Sequence, residues 1–310
     1  MKIAIPDVIS NSYFPVIAAC ELGFFEREGI DMEFEAIFPV AHTLEVLRDG
    51  GIDFVGGSAH SVPFAFPEWK GGKLIAAQAQ NMYWFLVLRS DLNAERGEIE
   101  KIKGLNLGAA PLVNLGLKQL IVDSGLDEER DEITIGPVPG AFLGENKNFG
   151  VAAAKALEHG LIDGFWANGM GAEVAIESGA GTLVIDARRG DGPAGAVNYT
   201  MSSIITSDAV IEKDPEAVAG VVRAIVKTQQ ALKDDVSLAT KVGEKWFPEL
   251  EASLIARVVE RDLPYYDASI SREFVDGMLT FQRNRGLIPA DADIAYEDVV
   301  ATRFSELWKA

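Results

Sequence analysis

The sequence predicts an α/β protein in which mostly parallel sheets are covered by helices. Three observations support this fold class. Short apolar runs of the strand type alternate with segments whose apolar residues recur at helical spacing over residues 2–186. The glycine-rich stretch 189–195 interrupts that alternation, and the chain from Asp208 onward carries mainly helical patterns. We therefore expect two α/β series followed by a helical region.

Composition restricts the functional classes. The chain has 310 residues and is 48% hydrophobic, which is enough for one large or two medium domains. No apolar run approaches the roughly 18 residues that span a bilayer. The net charge of −19 argues against nucleic acid and anionic membrane surfaces as partners. The single cysteine, Cys20, excludes an internal disulfide and is expected to pack in the core.

The first α/β series starts with a strand that leads into a polar loop and an apolar-periodic helix. We predict strands at 2–6, 31–36, 53–57 and 73–79 and helices at 13–27, 41–48 and 61–68. The loop holding Ser10, Asn11 and Tyr13 lies between a strand end and a helix start, where backbone N–H groups and the helix dipole favour small ligands. These three residues are therefore predicted ligand contacts.

A second polar loop follows the strand predicted at 53–57. Its two glycines let the backbone approach a ligand, while Ser58, His60 and Ser61 supply hydroxyl and imidazole groups. Because strand-end loops hold ligands in open α/β sheets, we predict ligand contacts from these three residues. The alternative is an N-capping serine beside a histidine that points to solvent.

Two extended segments, 83–88 and 198–205, predict crossovers between two lobes. Between them lies a second α/β series, with helices predicted at 113–124, 150–158 and 170–178. The helical region contains a strong helix start at Asp214 and Pro215, and we expect it to pack on the first lobe. Lobe one is therefore predicted at 1–88 and 200–310 and lobe two at 89–199. Two crossovers permit hinge closure around a ligand.

Further candidates lie in the second lobe and at the crossovers. Asn114 ends a strand-to-helix loop, and Trp166 and Asn168 lie at the end of the strand predicted at 162–166. Polar and aromatic residues beside the crossovers are expected to line the cleft, namely Asn81, Tyr83, Trp84 and Tyr199. The alternatives are an ordinary turn at Asn114 and plain core packing of the aromatic side chains.

Strong catalytic and metal-binding signatures are missing from the sequence. It contains no GxSxG, Walker or HExxH motif and no dinucleotide fingerprint after a strand, and its three histidines stand at unrelated spacings. We therefore predict no catalytic residue, no metal site and no cofactor. The expected cleft loops hold no arginine, and the nearest lysine is Lys147. A small organic ligand that is neutral or monoanionic and has an aromatic or apolar part fits such a site best.

The order of several short motifs resembles a known family. The run YFPVIAACELGFFEREGIDMEFE at 13–35 is followed by LRDGGIDF at 47–54, KGLNLG at 103–108 and ALEHGLIDG at 156–164. This series is similar to type II periplasmic binding proteins, in the branch that holds aliphatic sulfonate, taurine, nitrate and thiamine-pyrimidine-precursor binding proteins. The resemblance implies a two-lobed fold with two mostly parallel sheets joined by two crossover strands.

The resemblance also implies a function. Such a protein captures a small solute in the cleft between its lobes and delivers it to the permease of an ABC-type importer. The alternative is a cytoplasmic enzyme on the same fold, of the lyase, decarboxylase or pyrimidine-synthesis type, with His60 as acid or base. A desulfinase of this fold has its nucleophilic cysteine where this chain has Ser12. Serine has a much higher pKa than cysteine, so that activity is not expected here.

The first residues bear on the expected location. The chain enters a strand from Lys2, without the charged and apolar regions of an export signal. We therefore expect a periplasmic protein if a signal has been removed, and a cytoplasmic protein otherwise.

Overall fold

In the computed structural model, which describes residues 1–141 and 148–309, two five-stranded sheets lie among α-helices. This confirms the predicted α/β class. The strands are β1 Lys2–Ile5, β2 Glu33–Ala36, β3 Phe54–Ser58, β4 Gly72–Ala79, β5 Trp84–Arg89, β6 Asn106–Ala109, β7 Thr134–Gly136, β8 Gly164–Asn168, β9 Gly181–Asp186 and β10 Ser202–Ser207. The α-helices are α1 Phe14–Glu21, α2 Phe24–Arg27, α3 Val40–Arg48, α4 Asn114–Asp123, α5 Phe149–Glu158, α6 Gly169–Glu177, α7 Asp208–Lys213, α8 Pro215–Asp234, α9 Leu238–Trp246, α10 Glu249–Asp262, α11 Arg272–Asn284 and α12 Tyr296–Val299. None of the helices described is long and apolar enough to cross a membrane.

The chain divides into two compact units. Unit one holds Met1–Val8, Ser12–Asn81 and Asn198–Ala310, and unit two holds Ile9–Asn11 and Met82–Val197. All of β5 belongs to unit two, whereas the lobe boundary predicted at 88 and 89 falls inside that strand. The reason is pairing, since β5 pairs along its length with β8 and β9 of unit two.

The sheet of unit one has the strand order β2-β1-β3-β10-β4. β1 pairs in parallel with β2 and β3, while β10 runs antiparallel to β3 and β4. Ser202, at the start of β10, lies opposite Ser58, at the end of β3. The loops that follow β1 and β3 and the loop that precedes β10 therefore meet at one edge of this sheet.

The sheet of unit two, in the order β7-β6-β8-β5-β9, repeats this pattern. β6 pairs in parallel with β7 and β8, and β5 runs antiparallel to β8 and β9. The antiparallel strands β5 and β10 come from the two segments predicted as crossovers, and each is the first strand after the chain changes unit. All other strands of each sheet share one direction, which confirms the mostly parallel sheets.

Two predicted helices of the first series differ from the structure. The helix expected at 13–27 is divided into α1 and α2, because Gly23 between them adopts a left-handed φ of 71°. The helix expected at 61–68 is replaced by two 3-10 helices, Ala59–Phe64 and Pro67–Trp69. Proline inside the first of them has no N–H for α-helical pairing, which favours the tighter turn.

The outer edge of β4 is covered by the carboxy-terminal part of unit one. The N–H of Ala301 donates to the carbonyl oxygen of Leu74 over 3.0 Å. The indole Nε1 of Trp308 donates to the carbonyl oxygen of Ile75 over 2.8 Å. These bonds satisfy backbone groups that would otherwise form an exposed strand edge.

Candidate functional site

Several predicted ligand contacts lie in unit one at the edge where β1 and β3 end. Tyr13 directly precedes α1, and Ser58 is the last residue of β3. His60 and Ser61 belong to the 3-10 helix that follows, and Tyr199 lies shortly before β10. All of these residues are buried. The fold of unit one thus brings all five to the same edge of its sheet.

Hydrogen bonds connect His60 to hydroxyl groups on both sides. Its Nδ1 is 3.0 Å from Oγ1 of Thr200, and its Nε2 is 3.4 Å from Oγ of Ser61. The Ser61 hydroxyl is in turn 2.7 Å from that of Ser58. The imidazole is fully buried, which differs from the alternative in which it points to solvent. Each ring nitrogen therefore has a protein partner, one as donor and one as acceptor if the ring is neutral.

Aromatic packing holds the imidazole from a third direction. The ring of Phe281, in α11, lies edge-on to His60 with centroids 5.5 Å apart and an interplanar angle of 66°. Phe281 also stacks on Tyr199, with centroids 4.9 Å apart and an angle of 17°. Such edge-on and stacked pairs stabilise a fixed geometry. Tyr199 and His60 are therefore held by one shared aromatic neighbour.

The side-chain amide of Gln282 joins two loops of unit one. Its Nε2 donates to the carbonyl oxygen of His60 over 2.9 Å, and its Oε1 accepts from Nε1 of Trp69 over 3.1 Å. Gln282 is fully buried, and Trp69 is only 1% exposed. The backbone at His60 is therefore anchored by a residue of the carboxy-terminal helices.

Asn81 is the last residue of unit one before the chain enters unit two. Its φ of 64° lies in the left-handed region, which asparagine tolerates better than most residues. Its Nδ2 is 3.4 Å from Oδ1 of Asn198, the first residue of unit one after the chain returns. The side chain thus links the two points at which the chain leaves and re-enters this unit.

The predicted aromatic contacts of unit two form one buried cluster. The rings of Tyr83 and Trp84 have centroids 5.0 Å apart, and those of Trp84 and Trp166 are 6.5 Å apart at an angle of 69°. Trp84 and Trp166 come from the neighbouring strands β5 and β8. A Cβ atom at Gly116, in α4, would lie 3.2 Å from Nε1 of Trp166 and 3.4 Å from the ring of Trp84. Glycine at this position lets α4 approach the cluster closely.

Two predicted contacts, Asn168 and Asn11, accept hydrogen bonds from backbone N–H groups at the start of α6. Oδ1 of Asn168 accepts from the N–H of Gly171 over 3.0 Å, which caps α6. Oδ1 of Asn11 accepts from the N–H of Met170 over 3.1 Å, at the same helix end. Asn11 and its neighbour Ser10 are almost fully buried and belong to unit two. The loop predicted as a single ligand contact from Ser10 to Tyr13 is therefore divided between the two units.

Asn114 has a different role, since it is the first residue of α4 and is only partly buried. Leu112, two residues earlier, adopts a φ of 66°, which is strained for a branched side chain. Strain of this kind concentrates at binding sites and turns. The loop before α4 is therefore conformationally constrained at the position predicted from the sequence.

The structure also bears on the reactivity of Cys20, on metal binding and on the position of Lys147. Burial, with a smaller effect of the neighbouring Glu21 carboxylate, raises the pKa of Cys20 to about 12, so its thiol stays protonated at neutral pH. Within residues 1–141 and 148–309, no His, Cys, Asp or Glu side chains group in a way that would hold a metal ion. Lys147, the lysine nearest the predicted cleft loops, lies outside the described residues.

Some residues that shape this site have no recognisable signal in the local sequence. Thr200, which bonds to His60, directly follows the predicted contact Tyr199 in the sequence. Its place beside Tyr199 is the only signal that could have indicated its role in the site. Gln282 and Phe281 stand in an amphipathic helix more than 200 residues from His60, where the pattern predicts only packing. Gln78 and Ser202 are buried in strands β4 and β10. A strand pattern in the sequence does not show that the polar side chains of these two residues are buried.

Solved structures with this fold include binding proteins and an enzyme. The nitrate-binding protein NrtA from Synechocystis PCC 6803 is 14% identical, with a TM-score of 0.76 over 99% of this chain and 86% of that chain. The alkanesulfonate-binding protein SsuA from Xanthomonas axonopodis pv. citri, bound to MOPS, is 16% identical, with a TM-score of 0.69 over 96% and 97%. The desulfurization enzyme DSZB is 13% identical, with a TM-score of 0.65 over 98% and 97%.

These similarities extend over nearly the whole chain and show its fold. The protein has the periplasmic-binding-protein fold in the form shared with sulfonate- and nitrate-binding proteins, which confirms the resemblance seen in the sequence. No protein-family model matches the chain, and no curated protein matches its sequence.

Proposed function

We propose that this protein is a substrate-binding protein that captures a small organic solute. The observation that carries this proposal is the convergence of polar and aromatic side chains at one edge of the unit-one sheet, where Ser58, His60, Ser61 and Tyr199 meet. Open α/β sheets bind ligands at such edges. Similar structures are described as binding proteins for nitrate and alkanesulfonate, which supports the same class of function.

The proposed ligand is neutral or monoanionic and has an aromatic or apolar part. The cluster of Tyr83, Trp84 and Trp166 supports an apolar or flat group, because indole and phenol rings bind such groups by stacking. The proposed contacts contain hydroxyl, amide and imidazole groups and no arginine, so a multiply charged phosphate has no bidentate partner among them.

The proposed partner is the permease of an ABC-type importer, and the proposed location is the periplasm. Similar structures include a protein described as a periplasmic nitrate-binding protein and one described as the ligand-binding component of an ABC-type import system. Delivery to a permease would require no cofactor from this chain.

The alternative function is a cytoplasmic enzyme on the same fold with His60 as acid or base. The desulfurization enzyme among the similar structures keeps this alternative open. His60 is fully buried, and both of its ring nitrogens are within hydrogen-bond distance of protein hydroxyls. A general base must instead reach the proton that it abstracts, which favours a structural or binding role for this imidazole.

A thermal-shift screen tests the proposal. Sulfonates, carboxylates, nitrogen heterocycles and phosphates are compared, and a true ligand at a hundredfold excess over Kd should stabilise the protein by about 2.7 kcal/mol. In the Ser61→Ala variant we expect affinity for that ligand to fall about tenfold, as loss of a buried hydrogen bond does. The matched control is Ser253→Ala, whose hydroxyl is exposed on α10 and bonds only locally to Leu250. Stabilisation by multiply charged phosphates alone would contradict the proposed ligand class.

Mass spectrometry separates binding from catalysis. The protein is incubated with its best ligand for many hours, and the ligand is expected to remain unchanged. Conversion that disappears in the His60→Asn variant would replace the binding proposal by the enzyme.

A further inference from the structure

A buried glutamine in unit one presents an acceptor that no described residue satisfies. Gln78, in β4, is fully buried, and its Nε2 donates to the carbonyl oxygen of Ser203 over 3.2 Å. Since that partner only accepts, the bond identifies the nitrogen and leaves Oε1 on the other side of the amide. Within the described part of the chain, Oε1 has no hydrogen-bond partner.

The amide of Gln78 lies beneath the first turn of α1. A Cβ atom added at Gly56, in β3, would lie 3.2 Å from Nε2 of Gln78 and 2.9 Å from Cγ2 of Val16. Val16 is the third residue of α1, so the amide occupies the space between β3 and the amino end of that helix. Glycine at position 56 is what allows the long side chain to reach there.

A second buried polar group on the same sheet face has no partner among the described residues. This group is Oγ of Ser202, which is fully buried in β10. Ser202 lies opposite Ser58, and residues opposite each other on antiparallel strands project to one face. Ser58 and Gly56 are two residues apart and also share a face. Gln78, Ser58 and Ser202 therefore surround one polar region at the end of β3.

We infer that this region of unit one accepts a hydrogen bond from the ligand through Oε1 of Gln78, with Ser202 beside it, so that the ligand carries an N–H or O–H group. The inference rests on the proposed function and narrows its ligand class to small organic molecules with an amino, amide or hydroxyl group. Nitrate and unsubstituted sulfonates carry acceptors alone and would leave this buried carbonyl oxygen unsatisfied. An unsatisfied buried acceptor opposes binding, whereas a donor at the same place favours it.

Matched probes that differ by one donor test the ligand class. 4-Aminobenzenesulfonate is compared with 4-methylbenzenesulfonate, and 4-amino-2-methylpyrimidine with 2,4-dimethylpyrimidine, by isothermal titration calorimetry. We expect the amino member of at least one pair to bind about tenfold more tightly, the ratio that one hydrogen bond of ordinary strength produces. In Gln78→Met this preference should fall to near one, whereas Gln230→Met, which changes an exposed glutamine of α8, should keep it. Equal binding of the two members in both pairs by the wild type would overturn the inference while leaving the proposed function intact.

A measurement without ligand keeps the inference testable if no probe binds. Because the Ser202 hydroxyl has no partner in the described structure, Ser202→Ala should leave the melting temperature unchanged or raise it. The control is Ser207→Ala at the other end of β10, whose hydroxyl accepts from the N–H of Val210 and caps α7, so its loss should lower the melting temperature. A fall of more than about 4 °C for Ser202→Ala would mean that the hydroxyl serves the fold, and would overturn the inference whatever the protein binds.

Discussion

Gln282 shows how one side chain of unit one can organise a loop that is distant in sequence. It contacts Trp69 through its oxygen and the His60 backbone through its nitrogen, and it is fully buried. Since His60 then reaches Thr200 and Ser61, the position of the imidazole depends on this amide. Residues of this kind act on a site by positioning other residues.

We predict that Gln282→Met lowers the free energy of unfolding by about 2–4 kcal/mol, because it leaves one buried donor and one buried acceptor without partners at about 1–3 kcal/mol each. Methionine keeps the length and most of the volume of glutamine, so packing changes little. Urea denaturation of the purified protein measures the change. The control is Gln230→Met, where the exposed amide bonds only to Asp234 and the effect should stay below about 0.5 kcal/mol. Equal stability of Gln282→Met and wild type would contradict the prediction.

At the scale of elements, α5 and α6 of unit two approach each other at paired glycines. A Cβ atom at Gly171, in α6, would lie 2.6 Å from the carbonyl oxygen of Gly150, in α5. This neighbour is backbone, so it cannot move without shifting a helix. The same helix ends are held by the cap at Asn168.

We predict that Gly171→Ala destabilises the protein by about 1–2 kcal/mol. Overpacking costs about 1–3 kcal/mol, and the higher helix propensity of alanine offsets up to about 1 kcal/mol. Thermal and urea denaturation measure the difference. Gly136→Ala in β7 is the control, because no atom lies within 4 Å of the added carbon. Unchanged or increased stability of Gly171→Ala would mean that the two helices separate without cost.

The contact between α2 and α8 includes ion pairs at the end of α2. The side chain of Glu28, which is 7% exposed, lies 2.6 Å from Nε of Arg223 and 2.5 Å from Nζ of Lys227. Burial by itself would raise the pKa of the Glu28 carboxyl, but hydrogen bonds from Lys227 and Arg223 outweigh it and hold the pKa below its ordinary value. A lowered pKa in the folded state means that this stabilisation is present above the unfolded pKa of about 4.5.

We therefore predict that the Glu28 contribution is constant near neutral pH and disappears as the pH falls below about 4.5 through the folded pKa. Glu28→Gln should cost about 1–2 kcal/mol at pH 7, a value near the lower limit for charged hydrogen bonds because Lys227 is half exposed. The difference from wild type should shrink in acid. Urea denaturation at several pH values measures it, and Glu26→Gln, on the exposed side of α2, is the control. A difference that does not depend on pH would contradict the assignment.

At the scale of the whole molecule, the net charge of −19 determines which partners are repelled. Nucleic acid binding depends on neutralising phosphates with basic side chains, and this chain has 28 Lys and Arg against 47 Asp and Glu. We predict no binding of double-stranded DNA at about 50 mM salt, where such binding would be stronger than at physiological salt. An electrophoretic mobility shift assay tests this, with a basic DNA-binding protein as the positive control. A complex that dissociates as salt rises would contradict it.

The sequence by itself determined the fold class, because strand and helix periodicities are local properties of the chain. The alternation of these patterns predicted the two α/β series, and the segments that became β5 and β10 were recognisable as extended. It also indicated where these strands end to within two residues, since Ser58 and Asn168, predicted just after the strands at 53–57 and 162–166, are the last residues of β3 and β8. The sequence showed a glycine at position 23 and a proline within 59–64, but not the backbone conformation at either place. The break between α1 and α2 and the 3-10 helices were therefore missed.

The tertiary structure alone decided how the polar groups of the site are satisfied. Periodicity could not indicate that His60 would be fully buried and bound to Thr200 and, through its backbone, to Gln282. Nor could it indicate that Asn11 would bind α6 of unit two while Tyr13, two residues later, stays with unit one. The physical reason is that a hydrogen bond between residues far apart in sequence depends on the path of the whole chain. Local patterns specify which elements form, and packing then specifies which side chains meet.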